Sequence, residues 1–188
     1  IDRMHDYLAQ YGLGEKTGID LEGESSGLLP SREWKQRRWK KPWYPGETVI
    51  AGIGQGYHLT TPLQLATVTA MLANGGKRIE PRLVAAVRDP LTRTWQPLPG
   101  AVRGQVAIAP AHLEVVREGM MDVMRPGGTA AASAAGAPYT IAGKTGTARW
   151  SASSRARATM PAGWRGSTAI MRCSSPMRRP RPPASWWR

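Results

Sequence analysis

The segment around Lys144 is the part of this sequence whose residue types best suit chemistry. It runs Ile-Ala-Gly-Lys-Thr-Gly-Thr-Ala over residues 141–148. Its β-branched content predicts a strand, in which Lys144 shares a face with Ala142 and Gly146. A lysine reaching over two small residues could hold a carboxylate, and a nearby backbone N–H could face a developing oxyanion. The alternative is a plain strand with an exposed lysine, because a motif of only three residues, Lys-Thr-Gly, occurs often by chance.

A glycine-rich segment is the second candidate. It reads Gly-Ile-Gly-Gln-Gly and includes Gly54, Gln55 and Gly56. It resembles part of a phosphate-binding loop, but it has neither the Lys-Ser/Thr ending nor the full dinucleotide-binding spacing. We therefore interpret it as a tight turn where two stretches of backbone approach closely.

Two predicted helices must position these segments. Thr61 suits an N-cap and Gln64 completes a capping box, so the first helix is expected over Pro62–Asn74. Apolar residues recur at helical spacing over Leu113–Arg125, and the following Pro-Gly-Gly ends this second helix. Shorter elements are also predicted: a helix over residues 1–11, a strand at 19–21, a strand ending at 90, and a loop or hairpin over 91–106.

A cluster of basic and aromatic residues precedes the glycine turn. Such interleaving could bind nucleic acid through phosphate contacts and base stacking. The simpler interpretation is a solvated basic loop whose tryptophans pack on the domain, and we favour it because no nucleic-acid-binding module accompanies the cluster. The cluster consists of Arg32, Trp34, Lys35, Arg37, Arg38, Trp39, Lys40, Lys41, Trp43 and Tyr44.

The charge of the chain is concentrated at its C-terminal end. The 188 residues carry a net charge of +13, yet residues 149–188 contain nine arginines and neither an acidic residue nor a lysine. Ile170 is the only branched aliphatic residue there, so the composition is not that of a buried core. Cys173 is the only cysteine of the chain, which predicts neither a disulfide framework nor a metal cluster.

Three hypotheses account for residues 149–188. An arginine-rich arm would bind nucleic acid or an anionic lipid surface, and a proline-rich segment would serve as a linker or a ligand. Translation of a GC-rich gene in the wrong reading frame would also accumulate arginine, alanine, proline, serine and tryptophan. We favour a frameshift near residues 148–150, because the orderly pattern of the chain ends abruptly there.

Several segments, in their order and spacing, resemble the transpeptidase domain of class B penicillin-binding proteins. Within that family the likeness is greatest to the elongation-specific peptidoglycan transpeptidases of Gram-negative rods. It covers residues 1–148, as the C-terminal part of that domain, and leaves residues 149–188 as a basic, disordered tail. It implies an α/β (α+β) fold in which helices pack on a mostly antiparallel sheet. The segments that carry it are residues 17–48, 46–76, 126–130 and 141–148.

The resemblance implies a serine-type D-Ala–D-Ala transpeptidase, in which a serine attacks the terminal peptide bond of a peptidoglycan stem peptide. It assigns the third motif of such sites to Lys144, Thr145 and Gly146. Lys144 would supply positive potential, Thr145 would help hold the substrate carboxylate, and the Thr147 N–H would be one of two oxyanion donors. The turn at residues 54–56 is expected near the site.

Two other motifs of that family are absent from the 188 residues. No serine is followed by lysine three places on, and none by asparagine or aspartate two places on. In the family both motifs lie N-terminal to the segment that residues 1–21 resemble. We therefore expect the chain to begin after its nucleophile, and to be inactive alone because the remaining groups cannot replace an attacking serine.

The implied partners are the D-Ala–D-Ala stem peptide, β-lactams that mimic it, and membrane proteins of the elongation machinery. The resemblance implies no cofactor and no metal, and nucleic acid is not an expected partner of the domain. The alternative function is a basic protein that binds nucleic acid or an anionic surface through residues 149–188. The parent protein would be anchored in the inner membrane with its catalytic domain in the periplasm, although this sequence shows neither a signal nor a transmembrane segment.

Overall fold

The computed structural model describes residues 1–146 and 173–174. The chain divides into two compact units, Ile1–Ala109 and Pro110–Arg188. The helices and strands of the first unit are α1 Asp2–Ala9, α2 Arg32–Trp39, α3 Pro45–Gly52, α4 Pro62–Ala73, β1 Lys77–Ile79, β2 Ala86–Arg88, β3 Trp95–Pro97 and β4 Val102–Gln105. Those described in the second are α5 Pro110–Asp122, α6 Ala131–Ala134, β5 Ile141–Ala142 and β6 Cys173–Ser174.

Helix α4 begins as its sequence predicts. The Thr61 hydroxyl accepts a hydrogen bond from the Gln64 N–H at 3.1 Å, and the Gln64 side chain accepts one from the Thr61 N–H at 2.8 Å. Gln64 is buried, and its amide also donates to the carbonyls of Glu15 and Ser26 at 2.8 Å each. The capping residue thus closes the first turn of α4 and ties the helix to two preceding loops.

The core of the first unit lies between α4 and the β1–β4 pair. Met71 is fully buried and packs with Tyr11 and Val106, with Val68 and Leu72 partly buried around them. The pairing of β1 with β4 is antiparallel, and so is the pairing of β2 with β3. The strand predicted to end at residue 90 is confirmed only in part, because its residues form the end of β1 and the separate strand β2. The hairpin predicted over residues 91–106 is wrong, since β3 and β4 pair with β2 and β1 rather than with each other.

The strand predicted at residues 19–21 is wrong. These residues form a bend, and the Asp20 carboxylate accepts the backbone N–H groups of Leu83 and Val84 at 2.6 and 3.0 Å. Those hydrogen bonds hold the pKa of Asp20 below its ordinary value, with a smaller contribution from the Arg82 charge. A side chain, rather than a backbone ladder, joins this segment to the start of β2.

Residues 32–39 form a helix, so the expectation of a basic loop is wrong for them. The Ser31 hydroxyl caps α2 by accepting the Trp34 N–H at 3.1 Å, and Lys40 ends it in the left-handed conformation with φ 57°. Helix α3 was not predicted. It begins with Pro45, and the Glu47 side chain accepts the Tyr44 N–H at 2.7 Å, which closes its first turn.

The second unit is built around the end of α5. The helix predicted over Leu113–Arg125 is confirmed, although it begins at Pro110 and ends at Asp122. β5 pairs with β6 in antiparallel register, Ile141 opposite Ser174 and Ala142 opposite Cys173. Every strand pair in the described part of the chain is antiparallel, and helices pack beside them, in agreement with the implied α+β class. No helix within the described residues has the length and apolar content to cross a membrane.

Candidate functional site

The Lys-Thr-Gly segment follows a short strand that is packed on the end of α5. Ile141 is buried against Met124 and Ala130, and Gly143 donates its N–H to the Met120 carbonyl at 2.9 Å. In a regular α-helix the Met120 carbonyl would accept the Met124 N–H. Here the Met124 N–H donates to the Met121 carbonyl instead, which leaves the Met120 carbonyl free to accept the bond from Gly143. The backbone immediately before Lys144 is therefore fixed by both burial and hydrogen bonding.

Gly128 brings the next part of the site close to the same helix end. A Cβ atom at this position would lie 2.2 Å from the Asp122 carbonyl oxygen and 2.4 Å from that of Val123. The chain then continues with Ala130, whose N–H donates to the Val123 carbonyl at 2.9 Å. Only glycine allows this approach, and it places Thr129 over the end of α5.

Lys144, Thr145 and Thr129 form the polar face of the segment. The Lys144 amine is exposed and donates to the Thr145 carbonyl at 2.7 Å. The hydroxyls of Thr145 and Thr129 lie 3.4 Å apart. No acidic residue within the described part of the chain forms an ion pair with Lys144. Because an ammonium group carries three donors, it can still bind a carboxylate.

The structure corrects one expectation about this segment. The strand ends at Ala142, so Lys144 to Gly146 follow the strand rather than forming part of it. Within the described residues, β5 pairs with β6 only at Ile141 and Ala142. Gly146 is exposed, with open space where a Cβ atom would be. Thr147, the predicted oxyanion donor, lies outside the described residues.

Thr129 was missed by the sequence reasoning. Its signal was the run Pro-Gly-Gly-Thr-Ala, which served as a helix end and as one segment of the family resemblance, without a role for Thr129. A hydroxyl-bearing residue placed directly after two glycines can approach another backbone closely, and here it meets the hydroxyl of Thr145 across 16 positions of sequence. Since local patterns do not encode such a distant contact, the sequence offered no more than this hint.

The predicted glycine turn is confirmed within the first unit. Gly54 and Gly56 have φ values of +73° and +85°, and the Gln55 N–H donates to the Ile50 carbonyl at 3.1 Å. A Cβ atom on Gly56 would meet the Ile50 side chain at 3.1 Å, so both conformation and space favour glycine. Gln55 is exposed at the tip of this turn.

Lys35 and Glu47 form the most buried ion pair among the described residues. Lys35 is 2% exposed and pairs with both oxygens of the Glu47 carboxylate, which is 17% exposed. The Tyr57 hydroxyl also donates to Glu47 at 3.0 Å. Burial opposes ionisation, but the hydrogen bonds from Lys35, Tyr44 and Tyr57 hold the pKa of Glu47 below its ordinary value. Sequence reasoning counted Lys35 among the solvated cations and therefore missed this pair.

No group of three or more histidine, cysteine, aspartate or glutamate residues could hold a metal ion within the described residues. The Lys-Thr-Gly segment and Thr129 offer an ammonium group and two hydroxyls on an anchored backbone. Such a set can bind and orient an anionic group.

Comparison with known proteins adds the family. The profile of the penicillin-binding protein transpeptidase domain matches residues 1–166. The peptidoglycan D,D-transpeptidase MrdA of Escherichia coli K12 is 41% identical over 155 residues, a match covering 79% of this chain and 24% of that protein. This chain thus spans about a quarter of the length of such curated relatives.

Solved structures agree with this similarity. Pseudomonas aeruginosa PBP2 in complex with WCK 5153 is 43% identical, with a TM-score of 0.68 over 79% of this chain and 33% of that one. PBP2 in its complex with MreC from Helicobacter pylori is 33% identical, with a TM-score of 0.64 over 80% of this chain and 26% of that one. Since the family profile matches well over half of its 188 residues, the chain belongs to the penicillin-binding protein transpeptidase family.

Proposed function

We propose that residues 1–148 form the Lys-Thr-Gly side of a peptidoglycan D,D-transpeptidase site, in a protein that cross-links stem peptides during cell elongation. The observation that supports this most directly is the arrangement of Lys144. Its amine is exposed and unpaired with any acid of the described residues, beside Thr145 and on a backbone held by α5. A cation kept in that state is suited to a substrate carboxylate.

In the proposed reaction a serine oxygen attacks the carbonyl carbon of the D-Ala–D-Ala bond, the terminal D-alanine leaves, and an ester to the serine forms. An amine of a second stem peptide then displaces the serine and completes the cross-link. Lys144 and Thr145 would bind the terminal carboxylate of the first peptide. The Thr147 N–H would donate to the oxygen that becomes negatively charged in each tetrahedral intermediate.

We propose further that this chain is inactive alone. The 188 residues hold no Ser-x-x-Lys motif, and the groups that stabilise a transition state cannot supply the covalent bond of an acyl-enzyme. Incubation with a fluorescent penicillin, followed by a denaturing gel, should give no labelled band, while the full-length E. coli relative labelled in parallel is the positive control. A labelled band from this chain would contradict the proposal.

A chimera tests whether the described residues belong to such a site. Residues 1–146 would replace the matching segment of the E. coli relative, which keeps that protein's own nucleophile and C-terminal residues. If these residues form the Lys-Thr-Gly side of the site, the chimera should label with the fluorescent penicillin. A chimera that folds, as judged by circular dichroism, yet does not label would count against the proposed function.

The same proposal extends to partners and location. We propose that the parent protein acts on D-Ala–D-Ala stem peptides in the periplasm, is anchored in the inner membrane, is acylated by β-lactams, requires no cofactor and works with membrane proteins of the elongation machinery. The relatives support this by their names: one is called a peptidoglycan D,D-transpeptidase, and another was solved in complex with MreC. Co-purification of the chimera with MreC would test the last partner.

The alternative function rests on the nine arginines of residues 149–188. A basic arm predicts affinity for nucleic acid that falls steeply with salt and disappears when these residues are deleted. We propose instead that they result from a frameshift. Translation of the gene in the other two frames from residue 149 should give an alternating strand followed by a helix that contains acidic residues, and its absence in both frames would refute the frameshift.

A further inference from the structure

A cavity of about 510 Å³ opens beside α2 in the first unit. Its volume lies in the range of small-ligand sites. It is distinct in sequence from the Lys-Thr-Gly segment, and none of the roles proposed above uses it. We call it the α2 cleft, and its lining residues are Lys35, Trp39, Lys41, Tyr44, Glu47 and Tyr57.

Aromatic rings form much of the α2 cleft. The rings of Trp39 and Tyr57 meet edge to face, with centroids 4.7 Å apart. Trp39 keeps 42% and Tyr44 keeps 52% of its surface exposed, so both still offer ring surface to a ligand. Flat apolar faces of this kind stack on planar groups and on the C–H faces of sugar rings.

The buried charges of the α2 cleft are already compensated. Lys35 pairs with Glu47, and its ammonium group lies 4.3 Å from the centre of the Tyr44 ring. Neither charge is therefore available to an incoming ion. A ligand's charge must be met by cations at the edge of the cleft.

Lys41 is such a cation, because it lines the cleft, and Arg38 and Lys40 are near it in sequence. Arg38, Lys40 and Lys41 are exposed, and no acidic side chain of the described residues forms an ion pair with any of them. Lys40 adopts φ 57°, a left-handed conformation that helices usually assign to glycine and that costs other residues about 1 kcal/mol. The turn at Lys40 leads directly to Lys41 in the cleft wall.

We propose that the α2 cleft binds the peptidoglycan polymer, with sugar rings against Trp39 and Tyr44 and a stem-peptide carboxylate at Lys41. This inference rests on the proposed function, which supplies the polymer. Peptidoglycan combines the two features that the cleft matches: amino-sugar rings and a high density of carboxylates. A lipid surface would be met better by protruding apolar side chains than by rings that line a concavity.

The test is co-sedimentation of the full 188-residue chain with purified insoluble peptidoglycan at low salt. Lys41→Glu should lower the affinity about five- to tenfold, the effect of one lost charge contact plus repulsion. Lys77→Glu, an exposed lysine in β1, is the matched control and should change the affinity less than twofold. Because both variants carry the same net charge and the same arginines in residues 149–188, the comparison isolates the cleft.

A second pair of variants tests the aromatic contact. Trp39→Leu should weaken binding severalfold, whereas substitution of the exposed Trp95 of β3 in Trp95→Leu should not. Circular dichroism would show whether each variant folds. If Trp39→Leu does not fold, the comparison of Lys41→Glu with Lys77→Glu still tests the proposal.

Three results would overturn the proposal: no binding of the parent chain, equal losses from Lys41→Glu and Lys77→Glu, or losses that appear only with phosphatidylglycerol vesicles or DNA. These results can be told apart from a failure of the proposed function. A folded chimera that is not labelled by penicillin, together with normal peptidoglycan binding by the 188-residue chain, would contradict the acyl-transfer role alone.

Discussion

The two units of the chain each contain a lysine in a defined polar setting, and the settings differ. Lys35 in the first unit is buried and bound to both oxygens of Glu47. Lys144 in the second is exposed, and its one hydrogen-bond acceptor in the described residues is the Thr145 carbonyl. A buried ammonium group must be neutralised by its surroundings, whereas an exposed one held on a fixed backbone remains available to a ligand.

This difference indicates that Lys35 contributes to stability, whereas Lys144 is available for function. The Lys35–Glu47 pair joins α2 to α3 and supports the residues that lead into the glycine turn. The described hydrogen bond of the Lys144 side chain reaches only the adjacent residue, Thr145. We therefore expect substitutions of Lys35 to act on folding, and substitutions of Lys144 to act on acylation with little effect on folding.

The largest effect should come from breaking the buried pair. Lys35→Met leaves the Glu47 carboxylate buried without its cation, which should lower the free energy of unfolding by about 3 kcal/mol. Urea denaturation of the full chain measures this change. Lys41→Met, an exposed lysine of the same region, is the control and should change the value by less than about 0.5 kcal/mol. Equal changes in the free energy of unfolding for the two substitutions would contradict a special contribution of the buried Lys35 to stability.

Gly128 supplies the next largest effect, in the second unit. Gly128→Ala forces a Cβ atom against the carbonyl oxygens at the end of α5, which should destabilise the chain by about 2 kcal/mol. Gly119→Ala is the matched control within α5, where open space surrounds the added atom. It should be neutral or stabilise by up to about 1 kcal/mol. A neutral Gly128→Ala would show that the approach of Thr129 to Thr145 does not depend on this glycine.

Acid should weaken the buried pair. The pKa of Glu47 is lowered on folding from its ordinary value of 4.5, so its contribution is complete above that value and is lost as the pH falls through the folded-state pKa. The free energy of unfolding should therefore fall as the pH is lowered below 4.5 and through the folded-state pKa of Glu47, and fall less in Glu47→Gln. Asp20 and Glu24, whose pKa values are also lowered, contribute to both proteins and cancel in the comparison. An identical fall in the two proteins would contradict the role of Glu47.

The smallest effect on folding is expected at the functional segment. Thr129→Val removes the hydroxyl that lies 3.4 Å from that of Thr145, and should change the free energy of unfolding by less than about 1 kcal/mol. In the chimera the same substitution should slow penicillin acylation severalfold, because Thr145 loses its orienting neighbour. Thr129→Ser, which keeps the hydroxyl, should restore the rate, and a Thr129→Ser variant as slow as Thr129→Val would exclude this explanation.

Local sequence signals predicted those elements whose interactions are local. The capping box of Thr61 and Gln64 spans four residues, and α4 begins there as expected. Helices α2 and α3 were not predicted, although the Ser31 cap of α2 and the Glu47 cap of α3 are local signals. The burial of Lys35 had no local signal, because its partner Glu47 lies 12 positions further along the chain. The contact of Thr129 with Thr145 spans 16 positions, and it too has no local pattern. For the site, the Lys-Thr-Gly motif could be found by resemblance, but the contacts that hold it could not.

The most direct test of the central claim is the acylation rate of the chimera with a fluorescent penicillin, compared between Lys144→Ala and Lys77→Ala. The account predicts that Lys144→Ala slows labelling about 100-fold, the scale of a lost charged contact in a transition state, with circular dichroism and the free energy of unfolding unchanged. Lys77→Ala should label at the rate of the parent chimera. Equal labelling rates for the two variants would contradict the assignment of Lys144 to a transpeptidase site.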